Sequence, residues 1–262
     1  MPGISHMLKG ILRYKKIDQV HLVEQFKQVR ENPEPLSVFF TCIDSRVLAS
    51  RFTNSQVGET FFVRNAGNIV PHVKISSKDI GGSTEPGALE LGCVVNNIRH
   101  VVVCGHSDCK AMNMLYGIKH DMCNHAACSH SPLRAWLQKH GAPTVKKFAK
   151  LSPENNFSGP LIFQGETEEN SFAAYIDPEN NFSLPDKLSQ VNCLQQLQNI
   201  ASYPFLREKL MRDEVRLHAM FFDIYTGNVY MFSRKEKQFI EICKENYNAL
   251  LKDADSLEVN EE

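Results

Sequence analysis

Three short apolar runs give the first indication of the fold. They cover residues 36–42, 60–65 and 100–105, and each is followed closely by glycine or polar residues. Runs of this length that are rich in Val and Phe are typical of buried β-strands. Because helical patterns separate the runs, the sequence predicts parallel β-α-β units.

Apolar residues at helical spacing fill most of the intervals between and after these runs. Residues 18–31 carry a stripe of apolar side chains at three-residue steps. Near Thr84 and at Ser131, a proline follows in the first turn of a predicted helix, where proline is tolerated. The predicted helices cover residues 18–31, 84–95, 109–117 and 235–251, and two more open at Ser131 and Asp186.

Two later segments complete the predicted architecture. Residues 151–185 are rich in Asn, Glu, Pro and Ser, which predicts a long irregular excursion. Residues 215–224 and 229–233 flank Thr226-Gly227-Asn228, a β-hairpin signature. We therefore predict an α/β fold with a mostly parallel central sheet flanked by helices and ending in an antiparallel hairpin strand.

No shift in composition marks a domain boundary within the 262 residues. We predict a single domain over residues 1–262, with an N-terminal helical arm of about residues 1–32 that packs on the core or on a partner subunit. At 42% hydrophobic residues, the chain can bury a substantial core. A formal net charge of −1 gives no electrostatic reason to bind nucleic acid or an anionic membrane. No apolar stretch is long enough to span a bilayer.

The cysteines and the N-terminus bear on the compartment. Eight cysteines in a chain of this length do not indicate a disulfide scaffold, and their positions suit a reducing compartment. The first 17 residues hold four basic residues and no acidic one. Because serine and arginine are scarce there, we interpret them as a basic first helix of the fold rather than as a mitochondrial presequence.

Metal-capable side chains follow two of the predicted strands. Cys42 ends the first strand, and His106 and Cys109 follow the third. Ligands gather at the carboxyl ends of strands in α/β sheets, so adjacent strands would bring these three together. Two thiolates and an imidazole suit a catalytic zinc with an open fourth position. A nucleophilic Cys42 is the alternative, but the Cys-x5-Arg loop of thiol phosphatases is absent because Arg46 is only four residues on.

Asp44 and Arg46 follow the first cysteine at spacings of two and four. An arginine fork can hold a carboxylate in two parallel hydrogen bonds, which would keep Asp44 ionised and oriented towards a metal-bound hydroxide. Without that partner, Asp44 could bind the metal as a fourth ligand. The alternative is an ordinary helix-capping aspartate beside a surface arginine.

Other cysteines and histidines carry simpler interpretations. We assign Cys93 and Cys104 to the core, as small hydrophobic residues within apolar segments. A second cluster resembles a zinc knuckle, but no predicted element frames it, so we expect a solvent-facing loop there rather than a second metal site. It consists of His120, Cys123, His125, Cys128 and His130.

The paired motifs C-x-D-x-R and H-x-x-C, with V-R-N-A-G-N between them, resemble those of β-class carbonic anhydrases, close to the animal forms. The resemblance covers nearly the whole chain. It implies one Zn²⁺ per chain on Cys42, His106 and Cys109, with Asp44 and Arg46 as the catalytic dyad. It also implies reversible hydration of CO2 to bicarbonate and a proton by zinc-bound hydroxide. The expected assembly is a homodimer or a higher oligomer built from dimers. The animal forms make mitochondria the expected compartment, with the cytoplasm as the alternative.

Several positions depart from other members of that family. Phe39 stands where the bicarbonate-regulated subgroup has tryptophan, which favours an open site rather than one closed by Asp44. Lys110 replaces a glycine that many members have after the last ligand, and Pro33 replaces a glutamine of plant forms.

The substrate pocket and the proton shuttle are predicted from position alone. Phe61, Ala66 and Leu91 could line a pocket for CO2, the alternative being plain core, and His72 is the candidate proton shuttle. Two other functions stay open: hydrolysis of COS or CS2 on the same fold, and a non-catalytic zinc-binding module.

Overall fold

The computed structural model describes residues 3–76, 83–122, 130–151, 159–165 and 170–255. The strands are β1 Ser37–Cys42, β2 Thr60–Asn65, β3 His100–His106, β4 Leu161–Phe163, β5 Phe172–Ala174, β6 Arg216–Phe222, β7 Val229–Ser233 and β8 Gln238–Glu241. The helices are α1 Gly3–Ile17, α2 Gln19–Glu31, α3 Ala49–Phe52, α4 Val73–Ser76, α5 Glu85–Leu89, α6 Lys110–Gly117, α7 Pro132–Phe148, α8 Leu184–Ala201, α9 Pro204–Met211 and α10 Tyr247–Asp255, with a π-helical segment at Glu90–Val95. In the described residues, no helix is both long and apolar enough to cross a membrane.

A six-stranded sheet in the order β2-β1-β3-β6-β7-β8 forms the centre of the fold. The first four strands of that order are parallel, β7 pairs antiparallel with β6, and β8 pairs antiparallel with β7. This confirms the predicted mostly parallel sheet with an antiparallel hairpin. Because β1 and β3 are direct neighbours, with Thr41 opposite Cys104, their carboxyl ends lie side by side.

Helix α8 covers one face of the sheet and also orders the loop that follows β2. Ser183 caps the helix by accepting a hydrogen bond from the Asp186 backbone N–H, so the helix begins two residues before the predicted Asp186. Although α8 is almost wholly buried, amide side chains interrupt its apolar stripe. Asn192 donates to the Gly67 carbonyl at 2.9 Å, and Asn199 donates to the Val70 carbonyl at 2.8 Å. Buried amides therefore bind backbone groups that would otherwise lack partners.

A cluster of phenyl rings packs on the opposite face. Phe39 is 2% exposed, and its ring centroid lies 5.6 Å from that of Phe62. Phe52, from the short helix α3, stacks on Phe222 at 5.0 Å. Phe39 is thus part of an aromatic cluster in the core.

The C-terminal part of the chain differs from the prediction. The helix predicted over residues 235–251 is wrong, because the chain forms β8 first and helix α10 only from Tyr247. Lys237 has a left-handed backbone, with φ of 57°, at the turn before β8. Phe239 then packs on Phe232 and Phe221, with centroid distances of 5.6 and 6.1 Å. The packing of this partly buried ring against the core outweighs the weak helical pattern of the segment.

Residues 151–185 are also more regular than predicted. Within their described part, β4 and β5 form a small antiparallel sheet in which Phe163 stacks on Phe172 at 4.9 Å. The predicted helix over 84–95 is present, but its second half is π-helical. In that half a Cβ on Gly92 would lie 2.3 Å from Val38 Cγ2, so the close approach to β1 requires glycine.

Helices α1 and α2 form the N-terminal arm and bury none of their residues. Val29 touches the body of the protein at Gly58, whose φ is +87°. The apolar side chains of the arm are exposed, among them Ile4, Met7, Leu8, Ile11, Leu12, Val20 and Phe26.

A pair of histidines joins the amino ends of β3 and β6. His100 Nδ1 lies 3.1 Å from His218 Nε2, so at least one ring must be neutral. Burial, followed by the charges of His100, Arg234 and Arg216, lowers the pKa of His218 to about 3. Burial also lowers the pKa of His100.

We predict that this pair makes the fold sensitive to acid. Below the ordinary histidine pKa of about 6.5, the unfolded chain takes up protons that the fold excludes, so stability is lost as the pH falls. At pH 5 the full shift of His218 would cost about 2 kcal/mol, and solvent screening of this partly buried ring reduces that to about 1 kcal/mol. Urea unfolding at pH 7 and pH 5 measures the loss. His218→Gln should show a smaller loss than the parent, and His6→Gln, on the exposed face of α1, should match the parent.

Candidate metal centre

Cys42, His106 and Cys109 converge at the carboxyl end of the sheet. Cys42 is the last residue of β1, His106 is the last residue of β3, and Cys109 precedes α6. Their ligand atoms all lie within 4.8 Å of one another, and the two sulfur atoms are 3.9 Å apart. All three side chains are buried. Among the described residues this is the one group of three or more histidine, cysteine or acidic side chains with metal-ligand spacing.

The imidazole of His106 is oriented as a ligand. Its Nδ1 lies 2.8 Å from the Ser107 carbonyl, which fixes the tautomer with the proton on Nδ1. The other nitrogen, Nε2, is buried and has no hydrogen-bond partner in the part of the chain that the structure describes. A buried lone pair without a partner costs free energy unless something binds it. The donor set and this unsatisfied nitrogen therefore fit a zinc ion.

The contact between the two sulfur atoms affects the two thiols in opposite directions. A hydrogen bond from Cys109, with smaller contributions from His106 and the backbone of Gly67 and Asp44, lowers the pKa of Cys42 to about 4 against the effect of burial. The same hydrogen bond, together with burial, raises the pKa of Cys109. The surroundings of Cys42 thus favour its thiolate form, which is the form that binds a metal.

Asp44 and Arg46 form the fork that their spacing predicts. Arg46 Nε donates to Asp44 Oδ1 at 2.9 Å, and Nη2 donates to Oδ2 at 2.7 Å. The Arg46 backbone N–H also donates to Oδ1, at 3.0 Å. These hydrogen bonds hold the pKa of Asp44 well below its usual range, and the nearby His106 and the Arg46 charge lower it further. Asp44 is therefore an ionised, oriented hydrogen-bond acceptor at neutral pH.

Arg46 has a second acidic partner, which was not predicted from the sequence. Arg46 Nη1 donates to Asp108 Oδ2 at 2.8 Å, and Nη2 donates to the Asp108 carbonyl at 3.0 Å. Asp108 lies between the ligands His106 and Cys109, and its pKa is lowered, first by Arg46. The position of Asp108 inside the H-x-x-C motif indicated that it lies near the metal ligands. Its contact with Arg46, however, depends on how the loops after β1 and β3 approach each other.

Three more polar residues support the ligand loops. Arg64, in the V-R-N-A-G-N segment, donates to the Cys42 carbonyl at 3.0 Å and to the Asp44 carbonyl at 2.7 Å. Asp186, at the start of α8, accepts a hydrogen bond from the Asp108 backbone N–H at 2.7 Å. Ser107 donates to Asp223 Oδ1 at 2.6 Å. Such outer partners fix the direction of ligand side chains.

The residues predicted to line a CO2 pocket have different surroundings. Ala66 lines an open cleft together with Asn65, Glu85 and Trp136, and the Trp136 indole donates to the Ala66 carbonyl at 3.0 Å. Phe61 packs against the main core, and Leu91 is 50% exposed on the π-helical segment. Their role in binding CO2 stays a prediction.

Two other predicted features are less defined. His72, the candidate proton shuttle, is partly buried, and its Nδ1 accepts a hydrogen bond from the Lys74 backbone N–H at 3.2 Å. Its role stays a prediction. Of the second Cys/His cluster, Cys123, His125 and Cys128 lie outside the described residues. Cys93 and Cys104 are fully buried, as predicted.

Comparison with known proteins agrees with this architecture. The carbonic anhydrase family model matches residues 37–229. Beta carbonic anhydrase 1 of Caenorhabditis elegans is 42% identical over 253 residues, covering 95% of this chain and 92% of its own length. The corresponding protein of Caenorhabditis briggsae is 41% identical and covers 94% of this chain and 91% of its own length. The structure of the β-carbonic anhydrase CcaA has the same fold, with a TM-score of 0.72 at 24% identity, covering 93% of this chain and 94% of that one. The chain thus belongs to the carbonic anhydrase family, in its β class.

Proposed function

We propose that this chain hydrates CO2 reversibly to bicarbonate and a proton, with one Zn²⁺ held by Cys42, His106 and Cys109. The observation that carries the proposal is the buried trio of ligand atoms within 4.8 Å, beside the Asp44–Arg46 fork. When bound there, zinc would supply a Lewis acid that lowers the pKa of a water molecule towards about 7. Two anionic sulfur ligands balance the charge of the dication.

Asp44 and Arg46 orient the reacting groups in this proposal. Because Asp44 stays ionised, it accepts a hydrogen bond from the attacking oxygen and directs a lone pair towards CO2. Arg46 donates three hydrogen bonds to the carboxylate, one of them from its backbone N–H. Together they fix the direction in which Asp44 can accept a further hydrogen bond. The fork also restrains Asp44 from turning to bind the metal. Preorganised groups of this kind contribute to the rate because they need no rearrangement in the transition state.

Stopped-flow CO2 hydration by the zinc-loaded protein tests the reaction. Fast turnover at pH 7 and at about pH 8.5 supports hydration through a site with an open fourth position. Activity at the higher pH alone would indicate closure of the site by Asp44. If zinc is bound but CO2 is not hydrated, parallel assays with COS and CS2 distinguish a related hydrolase from a zinc-binding module without turnover.

We also propose that the chain forms a homodimer through its N-terminal arm. On α1, Ile4, Met7, Leu8 and Ile11 recur at helical spacing and are 52–71% exposed, an unpartnered apolar stripe. The fungal β-carbonic anhydrases from Sordaria macrospora, which share the fold with a TM-score of 0.59, are described as tetrameric. The exposed stripe and the oligomeric fungal proteins therefore favour a second copy of the chain as the partner that covers α1.

We expect substitutions in the arm to dissociate the dimer. Replacing Leu8 and Ile11 together by glutamine removes apolar area that only the partner would cover, so the effect should appear as dissociation rather than as unfolding. Sedimentation velocity over a concentration series measures it, and circular dichroism checks the fold. Tyr225→Gln is the matched control, because Tyr225 is 72% exposed in the β6–β7 turn. A double variant that remains fully dimeric would contradict the role of the arm.

A further inference from the structure

Arg46 joins the two loops that carry the metal ligands. Its Nε and Nη2 bind Asp44 in the loop after β1, whereas Nη1 and Nη2 bind Asp108 in the loop after β3. A guanidinium has five N–H donors, and the geometry allows each contact its own hydrogen. Asp108 therefore does not compete with Asp44 for Arg46. It holds the adjacent Nη1/Nη2 edge of the same planar group.

Asp108 is itself held in place by residues from two helices, α8 and α6. Its backbone is left-handed, with φ of 50°, and its N–H donates to Asp186, which is 5% exposed at the start of α8. Asn113 from α6 donates to Oδ1 at 3.2 Å, which leaves Oδ2 directed at Arg46. Lys110 also lies 3.2 and 3.4 Å from the two oxygens, but its side chain is 76% exposed, so solvent screening makes this contact weak. The anchor of Arg46 is thus tied to two helices that pack in the core.

Without its contacts to Asp108, the Arg46 side chain would leave the hydrogen-bonded geometry with Asp44 easily. The Arg46 side chain is 39% exposed, and a long flexible side chain at the surface loses considerable rotamer entropy when it is held in one geometry. The hydrogen bonds to Asp44 alone would then have to offset this loss of rotamer entropy at a solvated position. Because the Asp108 carboxylate and carbonyl bind the Nη1/Nη2 edge, the guanidinium plane is already fixed when Asp44 binds.

We propose that Asp108 is a positioning residue of the reaction: it fixes the plane of Arg46 and, through Arg46, the direction of the Asp44 carboxylate. This inference rests on the proposed role of Asp44 as the orienting acceptor. Asp108 contacts neither the substrate nor the metal in this scheme. Its loss should therefore lower kcat and leave KM and zinc content unchanged, because misdirection of an oriented group reduces rate more than binding.

Two substitutions of Asp108 preserve its backbone. Glycine tolerates a left-handed conformation without strain, and asparagine adopts it more readily than other residues with a side chain. We expect Asp108→Gly to lower kcat about tenfold, and Asp108→Asn, which keeps an oxygen acceptor, to lower it by less. Lys110→Gln, which removes another contact to the same carboxylate, should leave kcat unchanged. A decrease in Lys110→Gln equal to that in Asp108→Gly would overturn the assignment to Arg46.

A double-mutant cycle decides whether Asp108 acts through Asp44. In an Asp44→Asn background, adding Asp108→Gly should change the residual kcat less than about twofold, because nothing is left to position. An equal loss in both backgrounds would show an independent effect and sink the proposal. Normal turnover of Asp44→Asn itself would instead refute the proposed role of Asp44, and the two failures are thereby distinguishable.

Nuclear magnetic resonance of the arginine side chains gives a readout independent of turnover. In the parent protein, the Arg46 Nε–H signal should exchange slowly with water, because both edges of the guanidinium are bound. Arg46→Lys assigns the signal. Asp108→Gly should accelerate its exchange at least about fivefold, whereas Lys110→Gln should not. Unchanged exchange in Asp108→Gly would mean that the Asp44 fork alone orders Arg46, which contradicts the proposal.

Discussion

Replacing Cys42 with serine should reduce bound zinc from about one ion per chain to almost none. A serine hydroxyl does not ionise near neutral pH, so the site would lose the thiolate that its surroundings already favour. The remaining His106 and Cys109 offer two ligands, one short of the three that a catalytic zinc site uses. CO2 hydration should fall by at least about a thousandfold, because the remaining groups do not generate a nucleophile at this pH.

Metal analysis after dialysis measures this loss, and Cys104→Ser provides the control. Cys104 is fully buried in the adjacent strand β3, opposite Thr41, and its Sγ contacts the Gly105 carbonyl rather than a metal site. Cys104→Ser should keep one zinc per chain. Its serine hydroxyl can retain the hydrogen bond to Gly105, so the expected cost is limited to stability, about 1–2 kcal/mol. A Cys42→Ser protein that retains one zinc would contradict the ligand assignment.

The central sheet and the convergence of the ligand atoms could be predicted from the sequence because both follow from local patterns. Short apolar runs gave the strands, and the rule that parallel strands end at one edge of a sheet placed Cys42 near His106. The spacing of Asp44 and Arg46 was sufficient to predict their fork, since the two residues are neighbours along the chain. For the same reason, the serine cap of α7 could be predicted from Ser131 and Pro132.

The contacts of Asp108, Arg64 and Asp186 could not be predicted in this way. Each joins segments that are distant along the chain: Arg46 and Asp108, for example, are 62 positions apart. The left-handed backbone at Asp108 turns its carbonyl towards Arg46, and aspartate alone does not reveal that conformation. The failed helix at 235–251 has a related cause. There the packing of Phe239 on Phe232 and Phe221 decides the structure, and those partners come from other strands.

Replacing Asp44 with asparagine should keep zinc bound and lower kcat by about a hundredfold to a thousandfold. The ligand trio does not include Asp44, so metal content should stay at about one ion per chain. The amide puts an NH2 group opposite a guanidinium that also offers only N–H donors, so the two-point fork with Arg46 is lost. The neutral oxygen that remains is a weaker acceptor and has no fixed direction. KM should change little, because CO2 offers no charge for Asp44 to bind.

Asp213→Asn is the matched control for that experiment. Arg216 forks Asp213 as Arg46 forks Asp44, with Nε donating to Oδ1 at 2.8 Å and Nη2 donating to Oδ2. This second pair lies at the amino end of β6, the end of the parallel sheet opposite the metal ligands. Its loss should therefore leave kcat unchanged. Because Arg46 holds the pKa of Asp44 far below the working range, the defect of Asp44→Asn should persist between about pH 6 and pH 9. Normal turnover of zinc-loaded Asp44→Asn would rule out Asp44 as the orienting acceptor, and an equal loss in Asp213→Asn would attribute the defect to the fold.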